Sequence, residues 1–358
     1  MNSVFLVKSP LQLLNAIEAK HYFRLNTEDC VLIIMGDRKS QPQILELANI
    51  QHHWGKVVLL ENVNLLFGNP LEENSHYSAI KSIWQSDIFR SPAFNIRRLN
   101  RISQHIGEVR YIFMGYARYV YMRHFVNRTP HQKTFLLDDG SATIQIAKER
   151  KEGLNKASRL SVDKKIKLFA KKLFQRLKSE EKESLCFFTA YDVEPGEKDE
   201  VIKNNYDYIR SVNKILEQDD VVYFLGSPLS EAGIMEQKEY LECLEKVNNY
   251  FRGLKLVYVA HRREKKENLE EIRKSLNIDV VLFNFPIEYQ IAMVGPRPKI
   301  LASFVSSALD NCRLIMGKEL TIISFKLRLK NCQRREDIEL LYNYYTTKVS
   351  DNFSVIPL

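Results

Sequence analysis

Four short stretches and one isolated acid carry side chains able to do chemistry. His261-Arg262-Arg263-Glu264 sets a proton donor beside two permanent cations. That combination suits a phosphate, which an arginine clamps with two parallel hydrogen bonds while an imidazole stabilises the departing oxygen. The competing account is a basic cluster that pairs with Glu264 and other nearby acids. Ser306-Ser307 precedes Ala308-Leu309, where hydroxyls and backbone N–H groups at a helix start would hold an anion. A simple N-cap accounts for one of the serines equally well. Glu288, just past Pro286, can accept hydrogen bonds from ribose hydroxyls or merely favour a helix start. Asp138-Asp139-Gly140 is a carboxylate pair whose consecutive side chains point opposite ways on an extended chain. One can face a ligand as a general base while the other holds the turn; an Asp-Gly turn with a helix cap is the structural alternative. Gly226-Ser227-Pro228 completes the set.

Each of these groups needs a strand to deliver it. Val257 to Ala260 stops at His261, Val221 to Leu225 stops at Gly226, Lys133 to Leu137 stops at Asp138, and Lys299 to Phe304 leads to Ser306. Continuous apolar runs of this kind fit a sheet covered on both faces, and the carboxyl edge of an open α/β sheet is where ligands bind. The alternation extends along the chain. Strands are predicted from Val4, Cys30, Lys56, Arg110 and Cys186, then again near Leu256, Val280 and Ile300, with helical patterns between them. Ser9-Pro10 reads as a helix cap with proline in the first turn. A last helix is expected around Glu336 to Tyr345, followed by a short tail.

A chain of 358 residues exceeds what one core usually serves. The expectation is an α/β protein of two doubly wound Rossmann-like domains facing a cleft, residues 1–195 and 196–358, joined in the charged Pro- and Gly-bearing run Glu194 to Glu200. The last helix is a candidate to pack back on the first domain. Hydrophobic content of 45% and 27% charged residues describe an ordinary globular chain. Five scattered cysteines lack metal-ligand spacing and argue for a reducing compartment, against both a disulfide framework and a zinc site. Met1 leads straight into an apolar strand pattern, unlike a signal peptide, and no apolar run approaches about 20 residues; a cytoplasmic location is expected. The net charge of +9 suggests an anionic partner. Much of the excess sits between Lys164 and Lys178, where Ile166, Phe169, Leu173 and Leu177 share one helical face, a pattern that suits an anionic membrane surface or a solvated helix of its own domain. With the basic excess concentrated there, nucleic acid is not an expected partner. Phosphate-loop, dinucleotide-fingerprint and nucleophile-elbow motifs are absent, which weakens ATPase, dehydrogenase and hydrolase readings.

Taken in order, Asp138-Asp139-Gly140, Leu225-Gly226-Ser227-Pro228, Tyr258 to Glu264, Pro286-Ile287-Glu288 and Phe304 to Leu309, with Ser9-Pro10-Leu11-Gln12 near the start, resemble bacterial sialyltransferases, in particular glycosyltransferase family 52, the lipooligosaccharide and capsule enzymes. The resemblance implies a GT-B fold, CMP-sialic acid as donor, and an acceptor glycan of lipopolysaccharide, lipooligosaccharide or capsule. It also implies inversion in one displacement without metal or cofactor. Carried over residue by residue, His261 would contact the CMP phosphate, Ser306 and Ser307 would bind it, Glu288 would hold the ribose, and Gly226 with Ser227 would line the cytidine region; Arg262 and Arg263 are placed beside the phosphate by their charge alone. Arg262 follows the histidine where the family often has proline. A branch of the family resembles Gly-Ser-Pro-Asp where this chain has Leu229, which cannot take a proton. The expected base therefore moves to Asp138, then Asp139, with Glu231 third, as in related sialyltransferase and polysialyltransferase families. Two alternatives stay open: another nucleotide-activated sugar on the same architecture, and a polysialyltransferase.

Overall fold

From Ser3 to Val7 every residue is buried, a pattern that only a strand covered on both faces allows. In the computed structural model, which describes residues 1–36, 40–50, 53–60, 92–153, 177–213, 217–329 and 335–358, this is β1 (Ser3–Val7), the first of a βα series. It is followed by α1 (Pro10–Tyr22), β2 (Cys30–Ile34), α2 (Gln41–Asn49), β3 (Lys56–Leu59), α3 (Pro92–Ile106), β4 (Val109–Met114), α4 (Val120–Arg128), β5 (His131–Leu137), α5 (Ser141–Lys151), β6 (Cys186–Thr189) and β7 (Glu200–Lys203). Among the described residues the strands form one parallel sheet in the order β3-β2-β1-β4-β5-β6-β7. The order reverses between β1 and β4, the switch point at which such sheets bind ligands. Phe5, Phe113 and Phe135 stack across three neighbouring strands, with centroids 4.4 and 4.8 Å apart. Each buried ring contributes roughly 2 to 3 kcal/mol. Ser9 caps α1 as expected, its Oγ accepting the Gln12 N–H at 3.3 Å.

The series restarts with α6 (Asp207–Ser211), β8 (Gln218–Leu225), α7 (Gln237–Tyr250), β9 (Lys255–Val259), α8 (Lys266–Leu276), β10 (Asp279–Val281), α9 (Ile287–Tyr289), β11 (Arg297–Ser303), α10 (Ala308–Met316), β12 (Thr321–Lys326), α11 (Arg335–Thr346) and β13 (Phe353–Pro357). Its strands also run parallel, in the order β10-β9-β8-β11-β12-β13. The switch point lies between β8 and β11.

The chain divides into two compact units, Met1–Asn204 and Asn205–Leu358. The first ends later than residue 195 because Glu200–Lys203, which begins at the last residue of the expected linker, pairs with β6. The tail expected after the last helix is β13, parallel to β12. Helix α11 docks within its own unit, where the Tyr342 hydroxyl takes the Leu327 N–H at 3.1 Å and donates to the Phe325 carbonyl at 3.3 Å. Most of the basic stretch, residues 164–176, lies outside the described residues. Among those described, no helix is long and apolar enough to cross a membrane.

An ion pair ties α5 to the residue just before β7. Arg150 bonds both oxygens of Asp199, at 2.6 and 2.7 Å, and Asp199 Oδ1 also accepts the Leu185 N–H at 2.8 Å. The carboxylate is 2% exposed. Removing the buried partner leaves a partly covered guanidinium without its counter-charge and the Leu185 N–H without its acceptor, so Asp199→Ala is expected to lower stability by about 3 kcal/mol, measured by urea unfolding. A change within about 0.5 kcal/mol, the range of ordinary surface substitutions, would contradict the assigned role.

Candidate active site

The carboxyl end of β5 delivers Asp138 and Asp139 in opposite orientations, as an extended backbone requires. Asp138 is wholly buried. Its Oδ2 accepts the Ala190 N–H at 2.7 Å, and its carbonyl accepts from the Asn15 amide at 3.3 Å. Burial pushes its carboxyl up to about 7, a rise held back by hydrogen bonds from the Thr189 hydroxyl, the Ala190 N–H and the Thr143 hydroxyl. Asp139 stays partly exposed. Its Oδ1 accepts from Gln12 Nε2 at 2.7 Å and from the Ser9 hydroxyl at 3.5 Å. Gly140, at φ 64° and ψ −145°, turns the chain into α5 through backbone that a side chain would strain. Gln12 is held by the Lys8 N–H at 2.7 Å. A Cβ on Gly115, after β4, would lie 2.3 Å from Gln12 Oε1. The glycine therefore lets Gln12 reach from α1 to Asp139 at the β1/β4 switch point.

In the second unit β9 ends at the half-buried His261. Its Nδ1 accepts the Arg263 N–H at 3.2 Å, which leaves Nε2 to carry the hydrogen in the neutral ring. Glu264 does not join the arginines. It turns inward, Oε2 accepting the His261 N–H at 2.6 Å and Oε1 the Tyr258 hydroxyl at 2.5 Å. Burial pushes Glu264 up to about 7 against the pull of those two bonds. Gly226, at the end of β8, has no room for a side chain, since a Cβ would lie 2.5 Å from both Glu264 Oε2 and the Tyr258 hydroxyl.

Ser227 Oγ donates to the Val305 carbonyl at 2.8 Å and so ties the loops on either side of the β8/β11 switch point. Beyond Val305, Ser306 Oγ accepts the Ala308 N–H at 3.3 Å, whereas the Ser307 side chain makes no capping bond to α10. Helix α11 supports this corner, Tyr345 donating to the Ser306 carbonyl and Tyr344 to Asp310 Oδ2 at 2.8 Å. Glu288 is buried beside α10, its Oε1 accepting from Asn311 Nδ2 at 3.0 Å. Burial raises its pKa, opposed by the Asn311 bond and by the charge of Arg262.

Of the residues expected from the sequence, Gly226, Ser227, His261, Arg262, Glu288, Ser306 and Ser307 are connected by these contacts into one region. Arg263 is exposed and meets the site through its backbone N–H. Glu231 caps α8, accepting from the Lys265 N–H at 2.9 Å and from Asn268 Nδ2 at 2.8 Å. Partial burial pushes its pKa up, but these bonds outweigh it and hold the carboxyl below its ordinary value. One turn of chain beyond Pro228, Ser230, Glu231, Lys265, Asn268 and Arg328 help line a cavity of about 420 Å³, within the size range of small-molecule sites. Among the described residues, no group of three or more His, Cys, Asp or Glu is placed to hold a metal ion. Asn15, Tyr240 and Asn311 have no signal in the sequence, because each matters through a partner outside its own element; Tyr258, though only six residues from Glu264, reads locally as one more apolar strand position.

Asp138 gives the first unit a definite pH signature. Its folded pKa lies above the unfolded one, so between about pH 4 and pH 7 the folded protein retains a proton that the unfolded chain has released. Stability from this group is therefore full at low pH and lost as pH rises through that window; Glu264 acts with the same sign. Urea unfolding at about pH 5 and about pH 7 is expected to show a smaller decline for Asp138→Asn than for the wild type. Equal declines would contradict the assignment.

Comparison with functionally curated proteins gives no match. The profile of the family described as Alpha-2,8-polysialyltransferase (POLYST) matches residues 3–323, a span that includes both switch points. Among solved structures, the 2,6-sialyltransferase of Photobacterium sp. JT-ISH-224, solved with CMP and lactose, is 11% identical over 99% of this chain and 78% of its own, with a TM-score of 0.51. Os79 of O. sativa, solved with UDP, is 11% identical over 97% of this chain and 84% of its own, with a TM-score of 0.52. At that identity the likeness concerns the fold, and it is the GT-B fold of two Rossmann-like domains. The family matched is the polysialyltransferase one, where the sequence motifs resembled family 52. Because that match spans most of the chain, this protein belongs to the alpha-2,8-polysialyltransferase family and is a GT-B glycosyltransferase, an enzyme that uses a nucleotide-sugar donor and a glycan acceptor.

Proposed function

We propose that this enzyme transfers sialic acid, with inversion, from CMP-sialic acid to a bacterial surface glycan that already ends in sialic acid, so that the product can serve as the next acceptor. The observation that carries the reading is the family match over residues 3–323. The joining of Gly226-Ser227 to Val305-Ser306-Ser307 at a switch point, with His261 and Glu288 attached, supports it. In this reading the second unit holds the donor. Ser307, with the Ser306 backbone, receives the phosphate at the start of α10, Glu288 accepts from the ribose, and Gly226 and Ser227 flank the base. The His261 Nε2–H donates to the phosphate oxygen as the bond to the sugar breaks, with Arg262 offsetting the charge.

The first unit supplies the acceptor-side base. We assign that role to Asp139 ahead of Asp138, since a wholly buried carboxylate bonded to Ala190 cannot meet an incoming hydroxyl. Asp139 takes the acceptor's proton as its oxygen attacks the anomeric carbon, and Asp138 holds the turn. No step in this scheme calls for a metal ion. The lysine run from Lys164 to Lys178 is assigned to the anionic inner face of the cytoplasmic membrane, where lipid-linked acceptors of capsule or lipooligosaccharide would lie.

A second reading keeps the fold and takes a uridine-nucleotide sugar, favoured by the similar fold of Os79 solved with UDP. Incubation with each donor and a disialylated acceptor separates the two: release of CMP with lengthening of the acceptor is expected, and release of UDP alone would overturn the proposal. Asp139→Asn is expected to lower kcat by roughly 100-fold or more with donor KM little changed, and His261→Ala to lower kcat similarly. Near-normal turnover by Asp139→Asn alongside an inactive Asp138→Asn would transfer the base role to Asp138.

A further inference from the structure

One buried hydrogen-bond chain runs between the two loops assigned to the donor, and the proposed mechanism leaves it unused. The Ser227 N–H donates to the Tyr240 hydroxyl at 3.2 Å, the Tyr240 and Tyr258 hydroxyls lie 2.9 Å apart, and the Tyr258 hydroxyl donates to Glu264 Oε1 at 2.5 Å. At the far end the His261 N–H donates to Glu264 Oε2 at 2.6 Å. Ser227, Tyr240, Tyr258 and Glu264 are 5%, 1%, 0% and 8% exposed, so water is no substitute partner.

The direction of the chain follows from counting hydrogens. A phenol has one to give. With Glu264 ionised, above about pH 7, Tyr258 gives its own to the carboxylate, so the hydrogen between the two tyrosines comes from Tyr240, and Tyr240 is left to accept from Ser227. Every donor thus points toward the carboxylate, an arrangement in which each bond polarises the next. Both carboxylate oxygens are occupied as acceptors, one from each side.

We propose that Glu264 is a positioning residue which, through Tyr258 and Tyr240, locks the loop carrying His261 to the loop carrying Gly226 and Ser227, so that the two donor-side loops move as one body. The missing Cβ of Gly226 belongs to the same device, because any side chain there would strike both Glu264 and Tyr258. The proposal rests on reading these loops as the donor site; the coupling between them does not.

Two measurements keep those claims apart. Amide hydrogen exchange at Ser227 and His261 tests the coupling without any ligand. Glu264→Ala is expected to speed exchange at both amides by roughly tenfold or more. Tyr258→Phe, which deletes one oxygen from a fully packed ring, is expected to speed Ser227 and largely spare His261. Glu264→Gln can still accept from His261, but it reverses the far bonds and strands the Tyr240 hydrogen, so it should keep His261 protected while Ser227 exchanges faster. Unchanged Ser227 exchange in Glu264→Ala or Tyr258→Phe overturns the proposal. Calorimetric titration with CMP then reads the positioning role, which a purely structural residue would not move in a protein that stays folded. Glu264→Ala and Tyr258→Phe are each expected to bind CMP roughly tenfold more weakly or worse, and binding as tight as wild type overturns the role. Should the wild type bind no CMP, the donor assignment fails while the exchange data still decide the coupling.

Discussion

A carboxylate at the end of an apolar strand must find hydrogen-bond donors before the chain leaves the sheet, because an ionised group buried without them is too costly to keep. Both units meet that constraint by drawing the donors from loops. Asp138 takes a backbone N–H from Ala190, beyond a different strand, and Glu264 takes one from His261 together with the Tyr258 hydroxyl. In each case the acid is consumed as an anchor and a neighbouring side chain is displayed: Asp139 beside Asp138, and the His261 imidazole three residues before Glu264. The acids with the strongest structural demands shape the loops, and the groups left at the surface are available for chemistry.

The same division appears in the glycines. Gly115 and Gly226 each follow a strand that borders a switch point, and neither has space for a methyl group. At Gly115 the space is taken by Gln12, which holds Asp139; at Gly226 it is taken by Tyr258 and by Glu264, which holds the His261 N–H. Close approach of a polar side chain to bare backbone is how each unit brings an anchoring group to its strand edge.

Support for the second site also comes from the end of the chain. Strand β13 completes the sheet, and α11 sends Tyr345 and Tyr344 to the start of α10, where Ser306 and Ser307 sit. Asp310, in the first turn of α10, is an acid close to the proposed phosphate position. Its charge is offset by Arg313 at 2.8 Å and by the Tyr344 hydroxyl, which limits its repulsion of an anion at that helix start.

Most strands were legible in the sequence, because buried parallel strands are written as local runs, and the polar candidates at their ends stand out against them. Short strands with weak patterns were not. Strand β7 is an edge strand with exposed or half-buried residues, β13 resembles a tail, and β12 follows closely behind α10. The sequence by itself determined the two doubly wound units and which residues reach the carboxyl edges. Only the tertiary structure decided which aspartate is buried and that Glu264 faces Tyr258 and not the arginines. It also decided that Asn15 supports the Asp138 turn in the first unit, and that Tyr240 and Asn311 support the His261 and Glu288 region in the second. Those outcomes depend on partners as distant in the chain as Asn15 and Asp138 or Glu288 and Asn311, and a local pattern carries no record of which distant group will arrive to satisfy a buried charge.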